Sequence, residues 1–272
     1  MNKSPAKLAT RNLTKNFGKG QTVVEALRDI SIDVRDGEFI SVVGASGCGK
    51  TTFLRLVDGL ISPTSGSIII DGKSVTKPGE KLAFVFQQDG LLPWRNVRDN
   101  ALFGPEIQGK NRAANQRVAR EFLKLVGLSG FDTRYPHELS GGMRQRVNLA
   151  RALAVGADVL LMDEPFAALD AQTRIIMQGE LMRICHETQK TVLLVTHQID
   201  EAVYLSDRVL VFTTRPGRLK EEVAISLPRP RDLSVKFSAE FGRLCNHIWR
   251  LIEEEVRASM GQELKSAVGS RH

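Results

Sequence analysis

The amino-acid sequence predicts an α/β fold with a mostly parallel core sheet, an antiparallel β subdomain and an inserted helical subdomain. Three observations point to it. A short apolar strand, FISVV at 39–43, runs into the glycine-rich loop GASGCGKT at 44–51 and then into a helical pattern. From 158 onward strands and helices alternate: DVLLMDEP, a helix near 171–187, TVLLVT, a short helix near 198–204, and RVLVFTT. Such alternation implies parallel strands joined by crossover helices, with ligand chemistry at the carboxyl ends of the strands. Between 96 and 156 the strand signal disappears and only helical periodicity remains.

Taken in order, ISIDV places Ile30, Ile32 and Val34 at every second position, turns at Asp36-Gly37, and resumes with Phe39, Ile40, Val42 and Val43. This reads as a hairpin feeding a buried strand into the loop. TTFLRLVDGL reads as a short helix, and GSIIIDGKSV and KLAFVFQ as further strands. In the helical stretch, Val118, Phe122 and Leu125 recur at i, i+4 and i+7 with Gly127 as a stop, and MRQRVNLARALA is helical too. Residues 1–217 are expected to form the core domain, with the helical subdomain at about 96–156, and 218–272 a C-terminal extension. In that extension LPRPRD at 227–232 reads as an extended linker, and Phe237, Phe241, Leu244, Ile248 and Leu251 as one packing stripe of a final helix. No internal repeat or low-complexity segment is apparent.

Composition narrows the function. With 272 residues, 42% hydrophobic and 25% charged, the chain has a soluble domain's make-up and can bury a full core. Its most apolar runs, VLLM and TVLLVTH, are far shorter than the roughly 20 residues of a membrane helix. The start, MNKSPAKLATRNLTKNFG, lacks the apolar core of a signal peptide, so a cytoplasmic location is expected. Cys48, Cys185 and Cys245 are too few and too widely spaced for a disulfide framework or a metal knuckle. A net charge of +7 would suit nucleic acid or an anionic membrane, but the basic residues form no run of five, which fits an ordinary solvated surface.

The chemistry is carried by five stretches. GASGCGKT satisfies G-x-x-x-x-G-K-[ST] with Gly44, Gly49, Lys50 and Thr51, after a strand and before a helix as the mechanism requires. Backbone N–H groups across Gly44, Ala45, Ser46, Gly47, Cys48, Gly49 and on into Thr51 and Thr52 would cradle phosphates. Lys50 would reach the β and γ phosphates, and the Thr51 hydroxyl would coordinate Mg²⁺. Cys48, at the start of that helix and beside Lys50, is expected to favour thiolate unless only its backbone N–H is used. VLLMDEP sets Asp163 and Glu164 at the mouth of a buried strand, Asp163 to hold Mg²⁺ through water and Glu164 to orient or deprotonate the attacking water. His197 repeats that position after LLVT and could reach a γ-phosphate. Gln87 in VFQQ is open between a strand-end polar residue and a ligand to Mg²⁺ and water. The fifth stretch, LSGGMRQR at 139–146, opens a second helix at Ser140, Gly141 and Gly142, again a natural anion site.

Together GASGCGKT, FVFQQDGLLPW, LSGGMRQR, LLMDEP, AALD and VTH, in that order over about residues 8–215, resemble the ATP-binding subunit of an ABC transporter. The resemblance implies that Gln87 lies in the loop linking nucleotide to permease, that Asp170 lies in the loop crossing a dimer interface, and that His197 is the switch histidine. It implies an aromatic stacking on adenine, for which Phe17 is the positional match, although Tyr is commoner there. It explains the second glycine-rich turn: two copies pair head to tail, and Ser140, Gly141 and Gly142 of one close over the γ-phosphate of ATP held by Lys50 of the other.

FQQDGLLPWRNVRDN, PFAALDAQTR, HQIDEAVYLSDRVLVFTTRPGRL and LPRPRD further resemble the importer branch for nitrate, sulfonates and taurine, with Ala167 where that branch usually has Gly. That branch implies two integral membrane permease subunits, a periplasmic substrate-binding protein, and a peripheral place on the cytoplasmic face of the inner membrane. The solute itself, whether nitrate, an alkanesulfonate, taurine or a thiamine-precursor pyrimidine, touches other subunits and leaves no mark here. Nucleic-acid ATPases with the same head separate the phosphate loop from the signature by a long coiled coil, whereas here the gap is about ninety residues with no heptad run. Translation-associated relatives carry two heads in one chain and this chain carries one, so nucleic acid is not an expected partner.

Overall fold

The computed structural model describes residues 6–18, 22–109 and 112–269, and side chains at 6–18, 22–109 and 115–258. By internal packing the chain divides into two compact units, Met1–Lys77 with Leu193–His272, and Pro78–Val192. The first unit opens with β1 (Leu8–Phe17), β2 (Val24–Val34), β3 (Phe39–Val43), α1 (Lys50–Asp58), β4 (Ser65–Ile70) and β5 (Lys73–Ser74). The second holds β6 (Leu82–Val85), α2 (Val97–Ile107), α3 (Arg112–Leu125), a 3-10 turn at Pro136–Glu138, α4 (Gly141–Ala154), β7 (Val159–Asp163) and α5 (Ala171–Glu187). β8 (Thr191–Val195) leads back to the first unit, which ends with α6 (Ile199–Leu205), β9 (Arg208–Phe212), β10 (Leu219–Ala224), a 3-10 turn at Leu233–Phe237 and α7 (Ala239–Gly269).

The fold is α/β, as expected. In the first unit β2-β1-β4-β5 form an antiparallel sheet, with Leu8 opposite Val34 on one side and Ile70 on the other. β3 runs parallel to β9 in the register Ile40↔Arg208 to Val43↔Val211, and β10 is antiparallel to β9. In the second unit β6 runs parallel to β7, from Leu82↔Val159 to Val85↔Met162. All five residues of β3, β7 and β8 are buried, the mark of strands covered on both faces.

Three sequence expectations need correction. Ile30, Ile32 and Val34 are buried on one face as read, but β2 and β3 are not a hairpin: β2 pairs with β1 and β3 with β9. The Asp36-Gly37 turn, with Gly37 at φ 71°, passes the chain from one sheet to the other. The change from alternating to continuous apolar residues across that turn is the physical reason, because β2 has one wet face and β3 has none.

LPRPRD is not a free linker. Arg231 is buried, and its guanidinium donates to the carbonyls of Tyr204 (2.9 Å) and Ser206 (2.8 Å) at the end of α6 and of Leu227 (3.1 Å). A planar five-donor group suits the unpaired carbonyls of a helix C-terminus, and burial pushes Arg231 down to about 10. In the final stripe Phe241 and Ile248 are buried, but Phe237 falls before α7 and is 90% exposed. Along α3 the buried line is Ala119 and Leu123, continued by Val126 just past its end, with Val118, Phe122 and Leu125 half-buried beside it.

Candidate functional site

In the first unit the phosphate-type loop joins the buried strand β3 to α1. Gly49 caps α1 in the left-handed region at φ 99°, and a Cβ there would stand 2.9 Å from the Ala26 carbonyl oxygen, so only glycine fits. No side chain caps this helix, and the first N–H groups of a helix have no acceptor within it. Lys50 is buried and folds back over the loop, donating to the carbonyls of Gly44 (2.8 Å) and Ala45 (3.0 Å). Thr51 and Thr52 follow in the first turn, half-buried. The side chain of Cys48 is buried, and Lys50 Nζ lies 3.8 Å from its Sγ. The expected thiolate is corrected: burial raises the Cys48 thiol pKa and outweighs the attraction of Lys50.

Phe17 ends β1 with its ring exposed and the Lys15 ammonium 5.0 Å from the ring centre. His197 follows β8, also exposed. The backbone beneath it is fixed by Thr196, whose hydroxyl donates to the buried Glu201 carboxylate and accepts from the Gln198 N–H at 3.0 Å. Neither Thr196 nor Glu201 was singled out from the sequence, because their spacing matches no local capping pattern and only their burial pairs them.

The second unit holds the acids and the signature turn. Asp163 ends the wholly buried β7 and is itself buried. Glu164 follows, half-buried, with φ 49°. A glutamate in the left-handed region costs about 1–3 kcal/mol, and such residues cluster at functional sites. The Gln87 amide donates to Glu164 Oε2 at 3.4 Å, so the structure brings these two expected site residues together. Asp170 caps α5, accepting from the Thr173 N–H at 2.9 Å, and that bond holds its carboxyl below the usual range. Ser140 caps α4 in the same way, accepting from the Met143 N–H at 3.2 Å. Gly142 approaches the chain just before Asp170, where an added Cβ would stand 3.2 Å from the Ala168 carbonyl oxygen.

A further set escaped sequence reasoning. Arg144, Gln145, Asn148 and Arg151 on α4 all bond to residues 86–90, the segment that carries Gln87. Gln145 and Asn148 are 3% and 0% exposed. Two amides inside an otherwise apolar helix face were the available clue, because buried amides need partners.

A strand, a G-x-x-x-x-G-K-T loop opening a helix, and a buried strand that ends at an Asp followed by Glu define a nucleotide-hydrolysing P-loop protein. Residues 27–167 match the ABC transporter family, and the chain belongs to it as an ATPase. An uncharacterised ABC transporter ATP-binding protein of Methanocaldococcus jannaschii is 51% identical over 93% of this chain and 94% of its own. A nitrate import ATP-binding protein of Synechocystis is 45% identical over 86% of this chain and 90% of its own. A taurine import ATP-binding protein of Roseobacter denitrificans is 44% identical over 85% and 89%. Among solved structures, a dimeric ATP-binding cassette in a post-hydrolysis state with ADP and phosphate superposes with a TM-score of 0.74 at 31% identity, covering 81% of this chain and 100% of that one. Among the described residues no helix is long and apolar enough to cross a membrane.

Proposed function

We propose that this chain is the ATP-hydrolysing subunit of an importer for a small anionic or zwitterionic solute of the nitrate, sulfonate or taurine type. It works as a head-to-tail pair beneath two integral membrane permease subunits, peripheral to the cytoplasmic face of the inner membrane, with a periplasmic binding protein delivering solute. The observation that carries this reading is the match to nitrate and taurine import subunits over 90% and 89% of their lengths.

In this reading the amides of Gly44–Gly49 and the positive end of α1 take the phosphates of ATP, Lys50 neutralises the β and γ groups, and Phe17 stacks on adenine. The oxygen donors of Thr51, Asp163 and Gln87 suit Mg²⁺, which when bound neutralises phosphate charge, and no cluster of three His, Cys, Asp or Glu side chains among the described residues suggests another metal. Glu164, directed by Gln87, orients the attacking water and receives its proton. His197 reaches the γ-phosphate, Asp170 sits at the dimer interface, and Ser140, Gly141 and Gly142 of the second copy close over that phosphate.

The test uses Glu164→Gln, which keeps the side chain's shape and removes the base. With MgATP it should retain intact ATP and elute as a dimer in size-exclusion chromatography, while adding Ser140→Arg should return it to monomer with ATP still bound. A double variant that dimerises as well as the single one would overturn the role of the signature turn. Co-purification with a permease whose binding protein takes solutes of another chemistry would overturn the importer assignment.

A further inference from the structure

The segment after β6 bears Gln87 and has no regular structure of its own, so its shape must come from what grips it. One helix supplies that grip. From α4, Asn148 Nδ2 and Gln145 Nε2 donate to the Phe86 carbonyl (3.1 and 3.4 Å), and Arg151 donates to the carbonyls of Asp89 (3.0 Å) and Gly90 (2.9 Å). Arg144 Nε pairs with the Asp89 carboxylate at 2.9 Å, and Asp89 Oδ1 in turn accepts from the Leu91 N–H at 3.3 Å. These four side chains lie at i, i+1, i+4 and i+7, on one side of the helix. Gln87 is thus held on both flanks.

Its own contact is delicate. At 3.4 Å the Gln87 to Glu164 bond stands at the long edge of hydrogen-bond range, so a shift of a few tenths of an ångström in the backbone of 86–90 would break it. The Arg144–Asp89 pair is about a third exposed on both sides, at 35% and 30%, where an ion pair adds little to global stability. Its consequence is therefore geometric. We propose that Asp89 and Arg144, backed by Arg151, are positioning residues for hydrolysis that hold Gln87 against Glu164.

This inference rests on the roles given above to Glu164 and Gln87, and a double-mutant cycle in steady-state ATPase kinetics separates the two. Asp89→Asn in the full chain should lower kcat by about tenfold while KM for MgATP stays within about twofold and the melting midpoint is unchanged. Because Asp89 acts through Gln87, Asp89→Asn with Gln87→Ala should be no slower than Gln87→Ala alone. If Gln87→Ala hydrolyses ATP as fast as the parent, the role of Gln87 fails and the inference with it. If Gln87→Ala is slow and Asp89→Asn slows it again by its own full factor, or if Asp89→Asn alone leaves kcat unchanged, Gln87's role stands and the positioning role of Asp89 is overturned.

Discussion

Two helices in this protein begin at glycine-rich turns, α1 at GASGCGKT and α4 at LSGGM, and their glycines serve different ends. Before α1, Gly44, Gly47 and Gly49 all have positive φ, so they are there for backbone shape. At α4, Gly141 and Gly142 are ordinary helical residues, and what Gly142 supplies is room beside Ala168 and Leu169. The caps differ in parallel. α1 has no capping side chain and sets a buried lysine behind its loop, whereas α4 is capped by the Ser140 hydroxyl. One turn leaves the first amides of its helix without a side-chain acceptor, and the other satisfies one of them within its own first turn.

The contrast breaks most easily at the glycines. Gly49→Ala, at φ 99° and against a backbone oxygen, should destabilise the fold by about 2–4 kcal/mol. Gly142→Ala gains helix propensity but crowds Ala168, for a net loss of no more than about 1 kcal/mol, and Gly141→Ala should stay within about 0.5 kcal/mol of the parent. Urea midpoints measure all three. A Gly142 variant weaker than the Gly49 variant would mean the two turns had been assigned the wrong way round.

The far ends of the helices sharpen it. α1 closes on Asp58, whose buried carboxyl is pushed up to about 6 by desolvation and also faces the negative end of the helix dipole. Because the folded value lies above the unfolded one, the fold binds the proton more tightly. Stability on this account is greatest below about pH 4, falls as pH rises through about 6, and is level above that. Asp58→Asn should remove the fall and stabilise the protein by roughly 2 kcal/mol at pH 8 relative to its effect at pH 4. Equal effects of the substitution at both pH values would rule the titration out. α4 instead ends with Arg151 in its last turn, a charge of the favourable sign.

The cap of α4 can be tested by itself. Ser140→Ala should cost about 1 kcal/mol by leaving the Met143 N–H unpaired. Thermal melts of the parent and the alanine variant decide it, and an unchanged midpoint would show that water replaces the hydroxyl without loss.

What the sequence determined by itself is what short-range physics controls. Glycines that admit positive φ, a serine that caps the helix after it, and an apolar run ending in two acids mark the loop at 44–51, Ser140 and Asp163–Glu164. Each depends on neighbours within a turn or a strand. Tertiary structure alone decided which sheet β3 enters, since that depends on β9, far along the chain. It decided that Cys48 is shut away from water and that Arg231 lies under α6 rather than in solvent. It also set the left-handed backbone of Glu164 and the hold of α4 on residues 86–90. Burial and hydrogen-bond partners are properties of whichever distant segments fold over a residue, and local residue patterns do not encode them.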